Sequence, residues 1–343
     1  MMSQSHPFEL ALARALRVAI AACAFALVAP VAQAQSPIVM KLSTPTLNDV
    51  QHEFLRRYKA EVEQKSGGRI KADIYPASQL GPIPRQIEAV QLGAVQMFIC
   101  PPEFLDGVDP RFSVPSAVGI FRDIPNMDKS LKDPEFRKAF YPVGAGRGIK
   151  VGTVFLSGPM GINSRTAIRH ISDIKGKKLR VLASPLQMAP ISAMGGTPVP
   201  MALGDVLPAL QQGAIDGVLS VLPVLSAFRY YDAAKYFTNT DFSMITSQAS
   251  ISKVWFDKLP KDLQKIVEES AISASADLYP WALEFHAREK KKWVDNKGEI
   301  IDLPKAEREA ELVKLVKLTQ GLIKDKPVLQ PVYNTMMAVA KRN

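Results

Sequence analysis

Apolar and polar residues alternate along the first hundred residues with two different periods. The short segment 38–42 is mostly apolar, as a buried strand is, whereas apolar residues in 47–62 recur at helical spacing. Gly67 and Gly68 then form a helix C-cap. The pattern predicts a strand at 38–42, a helix at 47–62, a strand at 69–75, a helix at 85–92 and a strand at 95–100. This order favours a largely parallel sheet flanked by helices.

A second unit of the same kind follows residue 150. The segment 151–156 predicts another strand, and the Gly- and Pro-containing cluster 157–161 predicts a crossing between two lobes. A strand at 246–252 should return the chain to the first lobe. The remaining predicted elements are a strand at 178–182, a helix at 185–194, a strand at 198–200, a helix at 204–212 and a strand at 217–221.

The segment 260–298 has a helical pattern that is unusually long for one compact domain. Only Pro280 interrupts it, and a proline there should kink the helix. A helix that lies across both lobes would explain this length. Two further helices are predicted at 305–325 and 329–340. The expected fold class is therefore α/β with two lobes. We predict the first lobe at 35–157 plus 246–285, and the second at 158–245 plus 286–340.

The N-terminal segment has the pattern of a secretory signal peptide. Arg14 and Arg17 precede the apolar run 18–31, and Ala32-Gln33-Ala34 gives an A-x-A cleavage motif. We therefore predict a signal peptide at 1–34 and a periplasmic mature protein. The residues before Cys23 resemble a lipoprotein cleavage box, but the apolar run continues past Cys23, so the later site fits better.

Net charge and cysteine content limit the partners and the covalent links that the protein can be expected to have. The chain carries a formal net charge of +10, but predicted export argues against a nucleic-acid partner. Lysine clusters such as 290–292 are typical of a solvated helix face. Cys100 is the only cysteine after the predicted cleavage site, so no intrachain disulfide is expected.

Catalytic patterns are weak in this sequence. The histidines of the mature chain, His52, His170 and His286, lie in unrelated segments without metal-ligand spacing. The chain lacks a G-x-S-x-G elbow and a P-loop. We expect no enzyme activity, no metal and no cofactor, and a periplasmic hydrolase is the weaker alternative.

Arg180 is the strongest candidate for a functional residue. It lies in a short apolar strand, just before the small, polar turn Ala183-Ser184-Pro185. An arginine held by a strand beside a cleft presents a fixed, always-charged fork that matches a carboxylate. The alternative is a surface arginine that is paired with a nearby carboxylate.

Several segments resemble the DctP-type substrate-binding proteins of TRAP (tripartite ATP-independent periplasmic) transporters. The segments are YPASQLG at 75–81, RQIEAVQLGAVQM at 85–97, DIKGKKLRV at 173–181, GGTPVPMALGDVLPALQQGAIDG at 195–217 and KVWFDKLP at 253–260. The resemblance implies a two-lobed periplasmic binding protein fold that closes over an acidic ligand, with a long helix spanning both lobes. It also implies that Arg180 forms a salt bridge with the ligand carboxylate.

The resemblance extends to other ligand-binding positions, which surround Arg180 in the family. These positions are Thr44, Pro101, Met160, Ser184, Leu203, Ser220, Thr240 and Phe242. Thr240 and Phe242 are expected in a loop, TNTDFSM at 238–244. Many relatives have a second arginine where Met160 stands and an amide or acid where Ser220 stands. This chain should therefore bind a monocarboxylate with an apolar or aromatic body.

The family also implies partners. We expect the protein, as a monomer, to deliver a small organic carboxylate to TRAP transporter membrane subunits. The sequence does not distinguish this role from that of a ligand-binding sensor component that is uncoupled from transport.

Overall fold

The computed structural model describes residues 36–343, so the predicted signal peptide at 1–34 lies outside the described part of the chain. Within these residues the strands are β1 (Ile38–Ser43), β2 (Ile70–Tyr75), β3 (Met97–Cys100), β4 (Ile149–Ser164), β5 (Lys178–Val181), β6 (Thr197–Pro200), β7 (Gly217–Ser220), β8 (Tyr236–Ser252) and β9 (Glu299–Asp302). They form one sheet in the order β2-β1-β3-β8-β4-β7-β5-β6, with β9 paired to β8.

Helices cover this sheet along the described chain. They are α1 (Val50–Lys65), α2 (Ile83–Leu92), α3 (Ile124–Lys132), α4 (Pro134–Phe140), α5 (Pro185–Ala193), α6 (Leu203–Gln211), α7 (Leu222–Ala227), α8 (Lys253–Phe256), α9 (Lys261–Ala276), α10 (Leu278–Asp295), α11 (Lys305–Lys324) and α12 (Gln330–Arg342). The pairs β1–β2, β1–β3, β5–β6, β5–β7 and β8–β9 are parallel. The predicted α/β class with mostly parallel pairing is confirmed.

Two long antiparallel strands, β4 and β8, connect the two halves of the sheet. Sequence analysis predicted only 151–156 and 246–252 as strands here, and it placed a lobe crossing at 157–161 and a loop around Phe242. The strands are longer than predicted, and the loop around Phe242 was wrong, because these residues lie inside β4 and β8. The predicted crossing at 157–161 lies within β4, between Leu156 of one buried core and Met160 of another. The strands accommodate Gly158 and Pro159 at irregularities of the β4–β8 register. Bulges allow a strand to bend without ending.

Buried apolar side chains form separate cores in the two halves. One core contains Phe54 and Phe98, whereas others contain Leu179 and Trp293. The lobe boundaries remain a prediction, and one part of them needs correction. The segment 329–340 was assigned to the second lobe, but its buried residues belong to the core that contains Phe54, because α12 packs on α3 and α4.

The predicted long helix is broken into α9 and α10 at Asp277. Pro280 has no N–H to donate to the carbonyl of Ala276, and its ring would clash with that carbonyl in a continuous helix. Two side chains of the first lobe satisfy the released carbonyls. Lys132 Nζ donates to Ala276 O at 3.0 Å, and Arg57 Nη1 donates to Asp277 O at 2.8 Å.

Helix α10 contacts both lobes. Near its start, Phe285 is buried in the core that contains Phe54. Near its end, Trp293 packs edge-on against Tyr231 and Phe237, with ring centroids 5.7 and 6.2 Å apart. The helix therefore braces the two lobes against each other, as the sequence length predicted.

Gly158 allows α10 to approach β4 closely. Its φ of +143° strains any residue with a side chain. A Cβ there would lie 2.7 Å from Cε1 of His286 on α10. His286 cannot easily move, because its Nε2 is 2.8 Å from the carbonyl oxygen of Ser157.

Replacing Gly158 with alanine should therefore destabilise the protein. We expect Gly158→Ala to lower the free energy of unfolding by about 2–3 kcal/mol, from backbone strain together with the steric clash. Urea denaturation measures it. The matched control is Gly146→Ala, where an added Cβ meets no atom within 4 Å. Equal stability of the two variants would contradict this account of the β4–α10 contact.

Candidate functional site

A cavity lies between the two lobes, beside the β4–β8 connection. Side chains from both lobes line it. They are Pro45, Thr46, Gln51, Ile83, Pro101, Phe104, Ser157, Arg180, Leu182, Leu203, Ser220, Val221, Val224 and Ile245. Arg180 is the only charged residue in this lining, and most of the other residues are apolar. The chemistry of the lining therefore suits a small, largely apolar molecule with one negative group.

Strand β5 directs Arg180 into this cavity. Side chains alternate across a strand, so Leu179 and Val181 enter the core on one face and Arg180 projects from the other. Two backbone carbonyls hold the guanidinium. Nε donates to Met201 O at 2.9 Å, and Nη1 donates to Leu219 O at 3.4 Å.

These two hydrogen bonds leave three of the five guanidinium N–H groups of Arg180 without a partner among the described residues. The free N–H groups lie on Nη1 and Nη2, the pair that engages a carboxylate bidentately. The guanidinium carbon also lies 5.9 Å from the ring centroid of Phe104, in a cation–π contact.

Arg180 is a buried cation without a counter-ion. Its residue is 2% exposed, and no carboxylate among the described residues lies within salt-bridge distance of it. Burial lowers the pKa of Arg180 to about 10, so the group stays protonated at neutral pH. Because an unpaired buried charge is unfavourable, an anion that enters the cavity would be bound strongly.

The facing wall belongs to the loop between β1 and α1 and to the first turn of α1. Asp49 caps α1, accepting a hydrogen bond from the backbone N–H of His52 at 3.0 Å. This cap fixes the start of the helix, and the first turn carries Gln51 into the cavity wall. Thr46 lies beside it and donates to Asp49 Oδ1 at 2.8 Å.

Four of the predicted site residues line this cavity together, namely Arg180, Pro101, Leu203 and Ser220. The other predicted residues lie elsewhere. Thr44 is fully buried behind the wall, where it contacts Gln51. Ser184 is also fully buried, and its hydroxyl has no partner among the described residues.

The last three predicted residues, Met160, Thr240 and Phe242, line a separate cavity in the second lobe. Thr240 Oγ1 donates to the carbonyl of Met160 at 2.9 Å across the β4–β8 pair. Their side chains lie on that face because 240–242 belongs to a strand and not to the predicted loop.

Sequence reasoning missed ten of the lining residues, namely Pro45, Thr46, Gln51, Ile83, Phe104, Ser157, Leu182, Val221, Val224 and Ile245. Among these residues, only Pro45 and Thr46 lie in a sequence pattern that could have indicated a ligand site. The turn Thr44-Pro45-Thr46 followed by Asp49 is a helix N-cap pattern at the end of a predicted parallel strand, where ligands commonly bind.

A buried acid lies next to the cavity at the boundary between the lobes. Glu103 is fully buried, and burial raises its pKa to about 8. Gln187 of the second lobe donates to Glu103 Oε1 at 3.5 Å, whereas Oε2 has no partner among the described residues. At neutral pH Glu103 is therefore mainly a neutral carboxylic acid.

Residues 43–323 match the family described as bacterial extracellular solute-binding protein, family 7, or DctP. The chain belongs to this family. Its members are periplasmic solute-binding proteins of transport systems, and the family is not enzymatic. The predicted DctP-type membership is confirmed.

Three individual relatives share 26–29% sequence identity with this chain. The ectoine/5-hydroxyectoine-binding periplasmic protein UehA of Ruegeria pomeroyi is 26% identical over 75% of each chain. The C4-dicarboxylate-binding periplasmic protein DctP of Rhodobacter capsulatus is 27% identical over 77% of this chain and 79% of the relative. An uncharacterized protein of Salmonella typhimurium is 29% identical, and the match spans 66% of that protein.

The fold also matches solved DctP-family structures. A TRAP periplasmic solute-binding protein of Desulfovibrio salexigens, with bound orotic acid, superposes with a TM-score of 0.84 at 21% identity. The match covers 89% of this chain and 99% of that one. This likeness confirms the predicted two-lobed fold. Among the described residues, no helix has both the length and the apolar character needed to cross a membrane.

Glu103 should make stability depend on pH. The folded pKa of about 8 lies above the ordinary value of 4.5, so the native state keeps a proton that the unfolded state releases. The stability from Glu103 is therefore complete below pH 4.5 and falls as the pH rises towards 8, by up to about 1.4 kcal/mol per pH unit.

Glu103→Gln removes this titration. Its stability relative to the native protein should therefore increase by about 1 kcal/mol per pH unit between pH 5.5 and 7.5, as followed by urea denaturation at three pH values. The same substitution at Glu284, which is exposed, serves as the control. A constant difference between Glu103→Gln and the native protein across this range would refute the buried neutral acid.

Proposed function

We propose that this member of the DctP family captures a small monocarboxylate with an apolar or aromatic body and delivers it to TRAP transporter membrane subunits. The observation that carries the proposal is the buried, unpaired guanidinium of Arg180 at the wall of the cavity between the lobes. A carboxylate supplies the missing negative charge and accepts the N–H groups that the backbone carbonyls leave free.

The lining of the cavity supports a single carboxylate. Beyond Arg180, the polar lining consists of neutral groups from Thr46, Gln51, Ser157 and Ser220. A second carboxylate would lose its hydration without gaining a cation, which is unfavourable in an apolar cavity. Apolar side chains from both lobes, including Ile83, Phe104 and Val224, favour an apolar or aromatic ligand body.

The names of the relatives agree with an acidic ligand without specifying it. One is described as binding ectoine and 5-hydroxyectoine, and another as binding C4-dicarboxylates. All of these compounds carry a carboxylate. We infer that Arg180 anchors the feature that they share, and that the apolar lining distinguishes this chain from a dicarboxylate-binding protein.

Transport follows from closure of the lobes around the ligand. The predicted signal peptide at 1–34 directs the chain to the periplasm, where it meets the ligand as a monomer. The ligand bridges Arg180 on β5 and the wall formed by α1, so it stabilises the closed state relative to the open one. The closed surface then docks to the membrane subunits.

The experiment is calorimetry with aromatic and branched-chain monocarboxylates, compared with succinate and malate. Arg180→Ala should weaken binding of the preferred acid by about 2–5 kcal/mol, because the carboxylate would be buried without its cation. The affinity of Arg180→Lys should lie between that of the native protein and that of Arg180→Ala, since lysine keeps the charge but loses the bidentate contact.

The matched control is Arg229→Ala, which removes the same charge from an exposed side chain that pairs with Asp232. Its affinity should equal that of the native protein. The proposal fails if Arg180→Ala binds as tightly as Arg229→Ala, or if succinate or malate binds tightly and no monocarboxylate binds.

A further inference from the structure

A chain of four polar side chains runs from the N-terminus of α1 to the wall of the cavity. Asp49 Oδ1 lies 2.8 Å from Thr46 Oγ1, and Thr46 Oγ1 lies 3.0 Å from Thr44 Oγ1. Thr44 Oγ1 lies 2.8 Å from the side-chain oxygen Oε1 of Gln51. Every member is buried, since Thr44 is inaccessible and the other three are at most 4% exposed.

Gln51 ends this chain at the cavity. Thr44 occupies one end of its side-chain amide, and the other end, Nε2, makes no hydrogen bond to any described residue. Gln51 lines the cavity on the lobe opposite Arg180. An amide has a donor end and an acceptor end, so its orientation decides what the ligand meets.

Counting protons shows that this arrangement is one proton short. Each threonine hydroxyl has one proton to donate. Thr44 donates to Oε1 of Gln51 and Thr46 donates to Asp49 Oδ1, so neither has a proton left for the 3.0 Å contact between the two threonine oxygens. With Oε1 of Gln51 on Thr44, a proton on Asp49 completes the bonding, because Asp49 then donates to Thr46 and Thr46 donates to Thr44. This protonated state presents the NH₂ group of Gln51 to the cavity.

Ionisation of Asp49 reverses every bond in the chain. The carboxylate can only accept, so Thr46 donates to Asp49 and Thr44 donates to Thr46. Thr44 then needs a donor, and the amide of Gln51 turns by about 180° to supply its NH₂ group. The carbonyl oxygen of Gln51 now faces the cavity.

We propose that Gln51 is a specificity-determining residue whose presented group, amide NH₂ or carbonyl, is set by the proton on Asp49 through Thr46 and Thr44. With Asp49 ionised, the cavity favours a ligand that carries a hydrogen-bond donor at the end remote from its carboxylate. With Asp49 protonated, it favours an acceptor there. This preference rests on the proposed function, because Arg180 must hold the carboxylate at the other wall.

The environment of Asp49 allows this proton to change near neutral pH. Burial raises the pKa of Asp49 to about 6, against the opposing hydrogen bonds from Thr46 and from the backbone of α1. The titratable neighbours on the same helix are His52 and Glu53, and His52 Nδ1 accepts the backbone N–H of Asn48. The segment 76–81, whose backbone bonds to Thr44 and Thr46, carries no titratable side chain.

Nuclear magnetic resonance of the ligand-free protein, labelled with ¹⁵N-glutamine, tests the coupling directly. The side-chain NH₂ signals of Gln51 are identified by their loss in Gln51→Leu. They should shift with one midpoint near pH 6 between pH 4.5 and 8, because the NH₂ group bonds to Thr44 only above that midpoint. Asp49→Asn should abolish the shift and keep the helix cap, since asparagine caps well.

Two variants distinguish an effect that passes through the hydrogen-bonded side chains from an effect of nearby titratable groups. Thr46→Val keeps the shape of the side chain and removes the link, so the Gln51 signals should no longer titrate. His52→Gln removes the neighbouring imidazole and should leave the titration unchanged. A Gln51 signal that does not titrate in the native protein, or that titrates unchanged in Asp49→Asn or Thr46→Val, overturns the proposal.

The affinities of two probe ligands at two pH values test the consequence for ligand specificity. The probes are 4-aminophenylacetate, a donor at the remote end, and 4-acetylphenylacetate, an acceptor there. The ratio of their affinities should change about fivefold in favour of the amino compound between pH 5.5 and 7.5, and should stay constant in Thr46→Val. A constant ratio in the native protein contradicts the specificity role. If neither probe binds, the proposed ligand class fails, and the resonance experiment still decides the coupling.

Discussion

The guanidinium of Arg180 lies between two lobes without an acidic partner among the described residues, and the rest of the account depends on that imbalance. Two backbone carbonyls orient the group but do not neutralise it. Its burial lowers its pKa but leaves it charged. An unpaired buried charge of this kind is typical of a site that a ligand completes, and a small anion in the cavity would supply the missing negative charge.

The architecture explains how a charge can be held in this position. Strand alternation on β5 commits Leu179 and Val181 to the core, so Arg180 must face the cavity. The continuous strands β4 and β8 and the brace α10 bring the wall formed by α1 to the opposite side. The site therefore forms only when both lobes are folded, and each lobe contributes a different polar group.

Local patterns predicted much of this fold. Helical spacing at 47–62 and the position of Pro280 gave α1 and the broken brace, and the motif around Arg180 led to the cavity. Long-range pairing was harder to predict. Gly158 and Pro159 are typical of a chain break, yet pairing with β8 keeps them inside a strand, and this pairing also moved Met160, Thr240 and Phe242 away from the cavity. Gln51 was missed because helical periodicity alone does not distinguish a ligand-facing amide from a solvated one.

Mass spectrometry of captured compounds tests the central claim most directly. The purified protein and an Arg180→Met variant are exposed to the same bacterial metabolite extract, washed and denatured, and the released small molecules are identified. The account predicts that the native protein is enriched in compounds with a single carboxylate and that the variant is not. Enrichment of compounds without a carboxylate, or equal enrichment by the variant, would contradict it.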